Sequence, residues 1–221
     1  ETAGICYDPT SKAAGDFTFT NNVFYKLSGS SSTCFYLKIQ NTYVFSDITF
    51  DTMDCTGHVG SLYIPGPSFS LHNCKFIGIT QTSSASNDGC GLLVSLASVD
   101  AGRGNIEFIN SAWEDNTNFN LGISNDGKIC NQINFEYCKF VGNTENRHGG
   151  AFQIRPGKTK YYTITNCEFI SNHATDSFGG ALYIDESSNG DKTNINILHN
   201  TFTSNQASDG SAIYIQGSGN A

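Results

Sequence analysis

Asp47, Asp51 and Asp54 form the strongest acidic cluster in this sequence, and clustered carboxylates are what sugar chemistry needs. A glycoside hydrolase uses two of them as acid and base or nucleophile; a polysaccharide lyase uses them as calcium ligands beside an Arg or Lys base. Such groups must converge on one solvent-facing strand or its bordering turns. In the repeat register set out below, Asp47 and Asp51 flank the inward Ile48 and Phe50, whereas the equivalent places one repeat on hold Asn73 and Ile77. No acid stacks above them, so the cluster reads as solvated surface. Arg147 and His148, beside a Gly pair, also lack an aligned carboxylate on the neighbouring repeats, and Arg103, Arg147 and Arg155 all fall in expected loops. The chain therefore reads as a non-enzyme, with a polysaccharide lyase or glycoside hydrolase as the alternative.

Metal chemistry is no better provided. His58, His72, His148, His173 and His199 fall at different places within their repeats and do not converge as zinc ligands. Asp176, Asp185, Asp191 and Asp209 decorate turns and suit a calcium ion, but the ordered Asp-x-Asp spacing of a calcium loop is missing. The expectation is no cofactor, with calcium the one ion these turns admit.

What positions these groups follows from composition and pattern. The chain has 221 residues, 38% apolar and 12% aromatic, enough to bury a core. Charged residues make up only 14% and there are 23 Gly, which disfavours helices laced with Glu and Lys and points to an all-β fold. Lys and Arg number 12 against 20 Asp and Glu, the net charge is -8, and no basic run exists, so nucleic acid and anionic membrane surfaces are poor partners. The longest apolar runs are strand-sized, which argues against membrane insertion.

Internal repeats decide the fold. The large aromatics Phe24, Phe50, Phe76, Trp113, Phe140, Phe169 and Phe202 serve as anchors. Seven and five places before them stand Phe17 and Phe19, Tyr43 and Phe45, Phe69 and Leu71, Ile106 and Phe108, Ile133 and Phe135, Tyr162 and Ile164, and Ile195 and Ile197. All are apolar, and their parity differs from that of the anchor. Alternate residues of one strand share a face, so a parity switch at the same point in every repeat demands a bend between two short strands. A third apolar pair follows a polar, Gly-rich stretch: Leu37 and Ile39, Leu62 and Ile64, Leu121 and Ile123, Phe152 and Ile154, Leu182 and Ile184, Ile213 and Ile215, with Leu92 to Leu96 fitting less cleanly. Three short strands per repeat and no helical pattern describe the rungs of a single parallel β-helix, or solenoid, about seven rungs long, hydrogen-bonded at about 4.8 Å. The crossover rule makes it right-handed. Residues 17–221 carry the repeats, and residues 1–16 form an N-terminal segment suited to capping one end.

Two further columns agree. Asn116, Asn143, Asn172 and Asn205 stand three places after their anchors, where a turn begins and stacked amides build a ladder. Gly149-Gly150-Ala151, Gly179-Gly180-Ala181 and Gly210-Ser211-Ala212 mark the entry to the third strand, a corner without room for Cβ. The pattern of FVGN with GGAFQI, FISN with GGALYI and FTSN with GSAIYI resembles the repeats of the polymorphic membrane proteins of chlamydiae and their relatives in some protists. That resemblance, carried by the last three rungs and partly by the fourth, implies a surface-exposed β-helical passenger used in adhesion.

The middle residues of the third strands, Lys38, Tyr63, Gln153, Tyr183 and Tyr214, are expected to point outward as a tyrosine-bearing face able to stack on sugars or press against a protein. Cys74, Cys138 and Cys167 stand two before their anchors and are expected inside, the latter two as stacked thiols on adjacent rungs; Cys6 with Cys34 and Cys55 with Cys90 are the disulfide candidates. Eight Cys without a CxxC pair favour an oxidising compartment, although no Asn has Ser or Thr two places on to accept a glycan. The chain begins at Glu1 with no leader in view, as after signal-peptide removal, and ends six residues after Ile215, as in a fragment of a longer array or a rung that stacks head to tail. The expected role is a non-catalytic extracellular or cell-surface adhesin or scaffold that binds a host or neighbouring-cell protein or glycan. A filament subunit that self-associates end to end is the other structural option.

Overall fold

The bend demanded by the parity switch is a single residue in the left-handed conformation. The computed structural model describes residues 5–7, 17–29, 32–38, 42–55, 58–63, 68–81, 92–95, 105–118, 121–124, 130–154, 159–185 and 193–217. Three places before each anchor aromatic, Asn21, Asp47, Asn73, Asn110, Tyr137, Asn166 and His199 have φ between 50° and 56°. A second such bend, two places after the anchor, falls at Lys26, Thr52, Gly78, Asp115, Gly142, Ser171 and Ser204. Asn and Asp tolerate this region, and a bulkier residue is strained there by about 1 kcal/mol or more. The strain is offset because each bend before the last described rung donates its N–H to the next rung: Asp47 to the carbonyl of His72 at 3.0 Å, Tyr137 to that of Thr165 at 3.2 Å.

Between the bends run short strands that stack into three long parallel sheets. The first sheet contains Phe17–Thr20, Tyr43–Ser46, Ser68–His72, Asn105–Ile109, Gln132–Glu136, Tyr161–Thr165 and Asn194–Leu198 in that order. The second stacks Val23–Tyr25, Thr49–Asp51, Lys75–Ile77, Ala112–Glu114, Lys139–Val141, Glu168–Ile170 and Thr201–Thr203. The third has eight strands, because Ile5–Tyr7 pairs outside Ser32–Lys38, His58–Tyr63, Leu92–Ser95, Leu121–Ser124, Phe152–Ile154, Leu182–Asp185 and Ile213–Gln216. The protein is an all-β parallel solenoid, and among the described residues no helix is long and apolar enough to cross a membrane.

The anchor rings form one continuous pile. Successive centroids from Phe24 through Phe50, Phe76, Trp113, Phe140 and Phe169 to Phe202 lie 4.7 to 5.3 Å apart, with planes within 13° of parallel. Strand spacing sets this distance, and each such pair adds about 0.5–1.5 kcal/mol beyond the area it buries. Phe152, on the third sheet, reaches across to Phe135 at 4.7 Å and Phe140 at 5.0 Å, joining all three sheets in one core.

The third sheet corrects the sequence register in its first two rungs. Leu37 and Leu62 align with Val94, Ile123, Ile154, Ile184 and Ile215, while Phe35 and Gly60 align with Leu92, Leu121, Phe152, Leu182 and Ile213. The expected pairs ending in Ile39 and Ile64 are thus two residues too late, and those two residues lie outside the described ones. Phe35, Leu37 and Ile39 share one parity, so alternation alone leaves a slip of two open.

Candidate recognition surface

The same register divides the expected outward row. Lys38 pairs with Tyr63, and Tyr63 continues through Ser95 to Ser124. Gln153, Tyr183 and Tyr214 instead continue the column of Tyr36, Ser61, Leu93 and Gly122. The side chains of Lys38 and Tyr63 lie outside the described residues. The structure therefore brings together three of the five.

Those three are less open than a bare sheet face. Gln153 is 7% exposed and Tyr183 2%, because the chain entering each third strand folds over them. Entry is governed by glycine: a Cβ on Gly150 would collide with the carbonyl oxygen of Gly180, and one on Gly180 with that of Ser211. The backbone passes close to the next rung at these points, and the residue just before each Gly pair is thrown across the sheet. In successive rungs that residue is His148, Phe178 and Asp209, and Phe178 and Asp209 are bridged.

The result is a packed group of rings. The His148 ring lies 4.3 Å from Tyr183 and 5.3 Å from Phe178, each within 18° of parallel. Phe178 lies 4.7 Å from Tyr214, and Tyr183 and Tyr214 are 5.8 Å apart. Ser177 Oγ and His148 Nδ1 are 2.7 Å apart, and the Tyr183 hydroxyl donates to Gln216 Oε1. His148, Phe178 and Tyr214 are half-buried. They present fixed aromatic edges beside polar groups, the composition typical of recognition surfaces. His148 and Phe178 were legible only by aligning the residue before each GG or GS, a column the sequence reading did not use.

Three residues before His148, in the short strand Thr144–Glu145, stands a buried carboxyl group that sequence reasoning passed over. Glu145 is 3% exposed and its Oε2 has no hydrogen-bond partner. Burial pushes its pKa up to about 7, against the opposing pull of the Arg147 and Asn146 backbone N–H groups and the Arg147 charge. It anchors the start of the loop bearing Arg147 and His148, and its carbonyl accepts from Thr175 N–H at 2.8 Å.

The other candidates are dispersed. Asp47 occupies a bend, Asp51 accepts from the Thr52 hydroxyl at 2.7 Å on the second sheet, and Asp54 is exposed in the short strand Asp54–Cys55. Among the described residues no three His, Cys, Asp or Glu side chains come together; Asp191 is not among them. Cys74, Cys130, Cys138 and Cys167 are buried and outside any disulfide, and Cys138 N–H lies 3.4 Å from Cys167 Sγ on the next rung, as stacked thiols require. The side chains of the disulfide candidates Cys6, Cys34 and Cys55, and all of Cys90, lie outside the described residues. Asn116, Asn143, Asn172 and Asn205 form the ladder expected of them. Compared with known proteins, the chain matches no family model, no curated protein and no solved structure.

Proposed function

We propose that this chain is a rigid, non-catalytic recognition module of an extracellular or cell-surface protein, an adhesin or scaffold that engages a protein or glycan through the edge bearing His148, Phe178 and Tyr214. The observation that carries this reading is the half-buried ring group over the third sheet, locked by glycine-dictated loops. Rings already fixed in place lose little conformational freedom on binding, which is the usual economy of a recognition surface. The resemblance of the FxxN and GGA repeats to the adhesive passengers of polymorphic membrane proteins supports the same role.

The test is a binding screen of the intact chain against immobilised glycans and extracellular protein fractions, repeated with Phe178→Ala and Tyr214→Ala. A ligand lost from both variants while their circular dichroism and Tm stay close to wild type supports the reading. A ligand indifferent to both, or turnover of an acidic polysaccharide in the presence of calcium, overturns it.

A further inference from the structure

Resting on that reading, we infer that the partner received by this edge is a basic protein segment, whose Arg or Lys side chain lies between flanking carboxylates against the face of Tyr214 turned away from Phe178 and Tyr183. From Tyr161 to Ala221 the sequence holds six acids, Glu168, Asp176, Asp185, Glu186, Asp191 and Asp209, against the single base Lys192; Glu168 lies on the second sheet, paired with Lys139 at 3.1 Å, and takes no part at this edge. Among the described residues of that span there is no Lys or Arg at all.

The acids stand on both sides of the rings. Asp185 is two residues beyond Tyr183, hence on the same face of its strand, and its register partner Gln216 stands two beyond Tyr214. On the loop side Asp209 is bridged to Phe178 and exposed, and Asp176 occupies the exposed left-handed turn two residues before Phe178. The described guanidinium of Arg147 stands one rung below, beside His148. Aromatic faces attract cations through their quadrupole, and carboxylates at the rim supply the counter-charge. A neutral sugar uses only the rings, and an acidic polysaccharide meets repulsion, so the charge selects among the partners that the rings alone would admit.

The experiment is calorimetry of the intact chain with an octa-arginine peptide, an octa-lysine peptide, a neutral Gly-Ser octapeptide and a neutral chitin oligosaccharide, at low and at moderate salt. The expected order is octa-arginine tighter than octa-lysine, with no binding of the neutral peptide. Tyr214→Leu, which keeps apolar bulk and removes the ring, weakens octa-arginine binding by about 3- to 30-fold, the range of a cation–π contact. Asp209→Asn and Asp185→Asn weaken it further, whereas Asp51→Asn, the same charge change on the second sheet, leaves it unaltered. Equal losses from Asp51→Asn and Asp209→Asn would mean general attraction to a chain of net charge -8 and would overturn the inference. Oligosaccharide binding that is lost in Tyr214→Leu, without peptide binding, sinks the basic partner and leaves the recognition reading standing. Binding of neither probe at this edge removes both.

Discussion

Asn143 donates from Nδ2 to Oδ1 of Asn172 at 2.9 Å and also to the carbonyl oxygen of Trp113 at 2.9 Å, so one amide ties three rungs together. Its own Oδ1 accepts from the backbone N–H and the side chain of Asn116 at 3.2 and 2.9 Å. All of these groups are buried. Asn143→Ala therefore leaves a carbonyl and two donors without partners, and we expect a loss of about 3 kcal/mol, read as a lower urea midpoint at unchanged m-value. Asn205→Ala, at the half-buried end of the ladder, loses less. Equal losses at both positions would show that the ladder is not a cooperative unit.

The glycine corner separates positions that look alike in sequence. Gly150 and Gly180 each face a carbonyl of the following rung, whereas Ser211 is on the last described rung and carries a side chain. Gly180→Ala must move backbone, since the opposing atoms are the Ser211 oxygen and the Gln206 amide, and we expect it to cost about 3 kcal/mol or more. Gly217→Ala meets nothing within 4 Å and serves as a neutral control. Thermal melts of the two variants decide the matter, and a Gly180→Ala chain with wild-type Tm would contradict the close approach.

This contrast shows why the sequence disclosed the solenoid so fully and its surface so poorly. Phe140, Phe169 and Phe202 repeat because every rung offers each of them the same neighbours above and below, and identical environments select identical residues. The bend three places before each anchor is visible only as a parity switch; the residues found there range from Asn73 to Tyr137, since only φ is prescribed. Outward residues are under no such repetition. Tyr183 was legible as a strand residue, but that His148 would cover it depends on a loop crossing one rung to the next. The slip at Leu37 has a different origin: connections between the second and third sheets vary in length, and an apolar residue at every second place cannot report which pair is in register.

Glu145 gives the chain a dependence on pH of definite sign. Its folded pKa, about 7, lies above the ordinary 4.5, so between these values the folded state binds more proton than the unfolded one. The contribution is fully present below about pH 4.5 and is lost as pH rises through 7. Glu145→Gln keeps the shape and removes the ionisation. We expect the variant to match wild type near pH 4.5 and to exceed it at pH 8 by up to about 3 kcal/mol, seen as a difference between the two urea midpoints that grows with pH. A constant difference across that range would mean that the carboxyl is not held in a desolvated site.

The thiols make the last test, because burial acts on them as it does on Glu145 but with an opposite consequence for chemistry. Desolvation pushes Cys74 and Cys130 up to about 11, and burial together with the neighbouring Cys167 sulfur pushes Cys138 upward as well. The thiolate is the reactive form, so at pH 8 little of it exists at these three; the hydrogen bond with Cys138 draws Cys167 the other way, and its protection rests on the core that screens all four sulfurs. Cys138→Ser or Cys167→Ser places a hydroxyl in the interior of the stack, where the Sγ of Cys138 faces the Phe108 carbonyl at 3.3 Å. We expect alkylation of the folded chain at pH 8, followed by peptide mapping, to leave Cys74, Cys130, Cys138 and Cys167 unmodified until denaturant is added. Modification of Cys138 in the folded chain at the rate of a free thiol would show that the rungs around it open, and would place its sulfur outside the interior column.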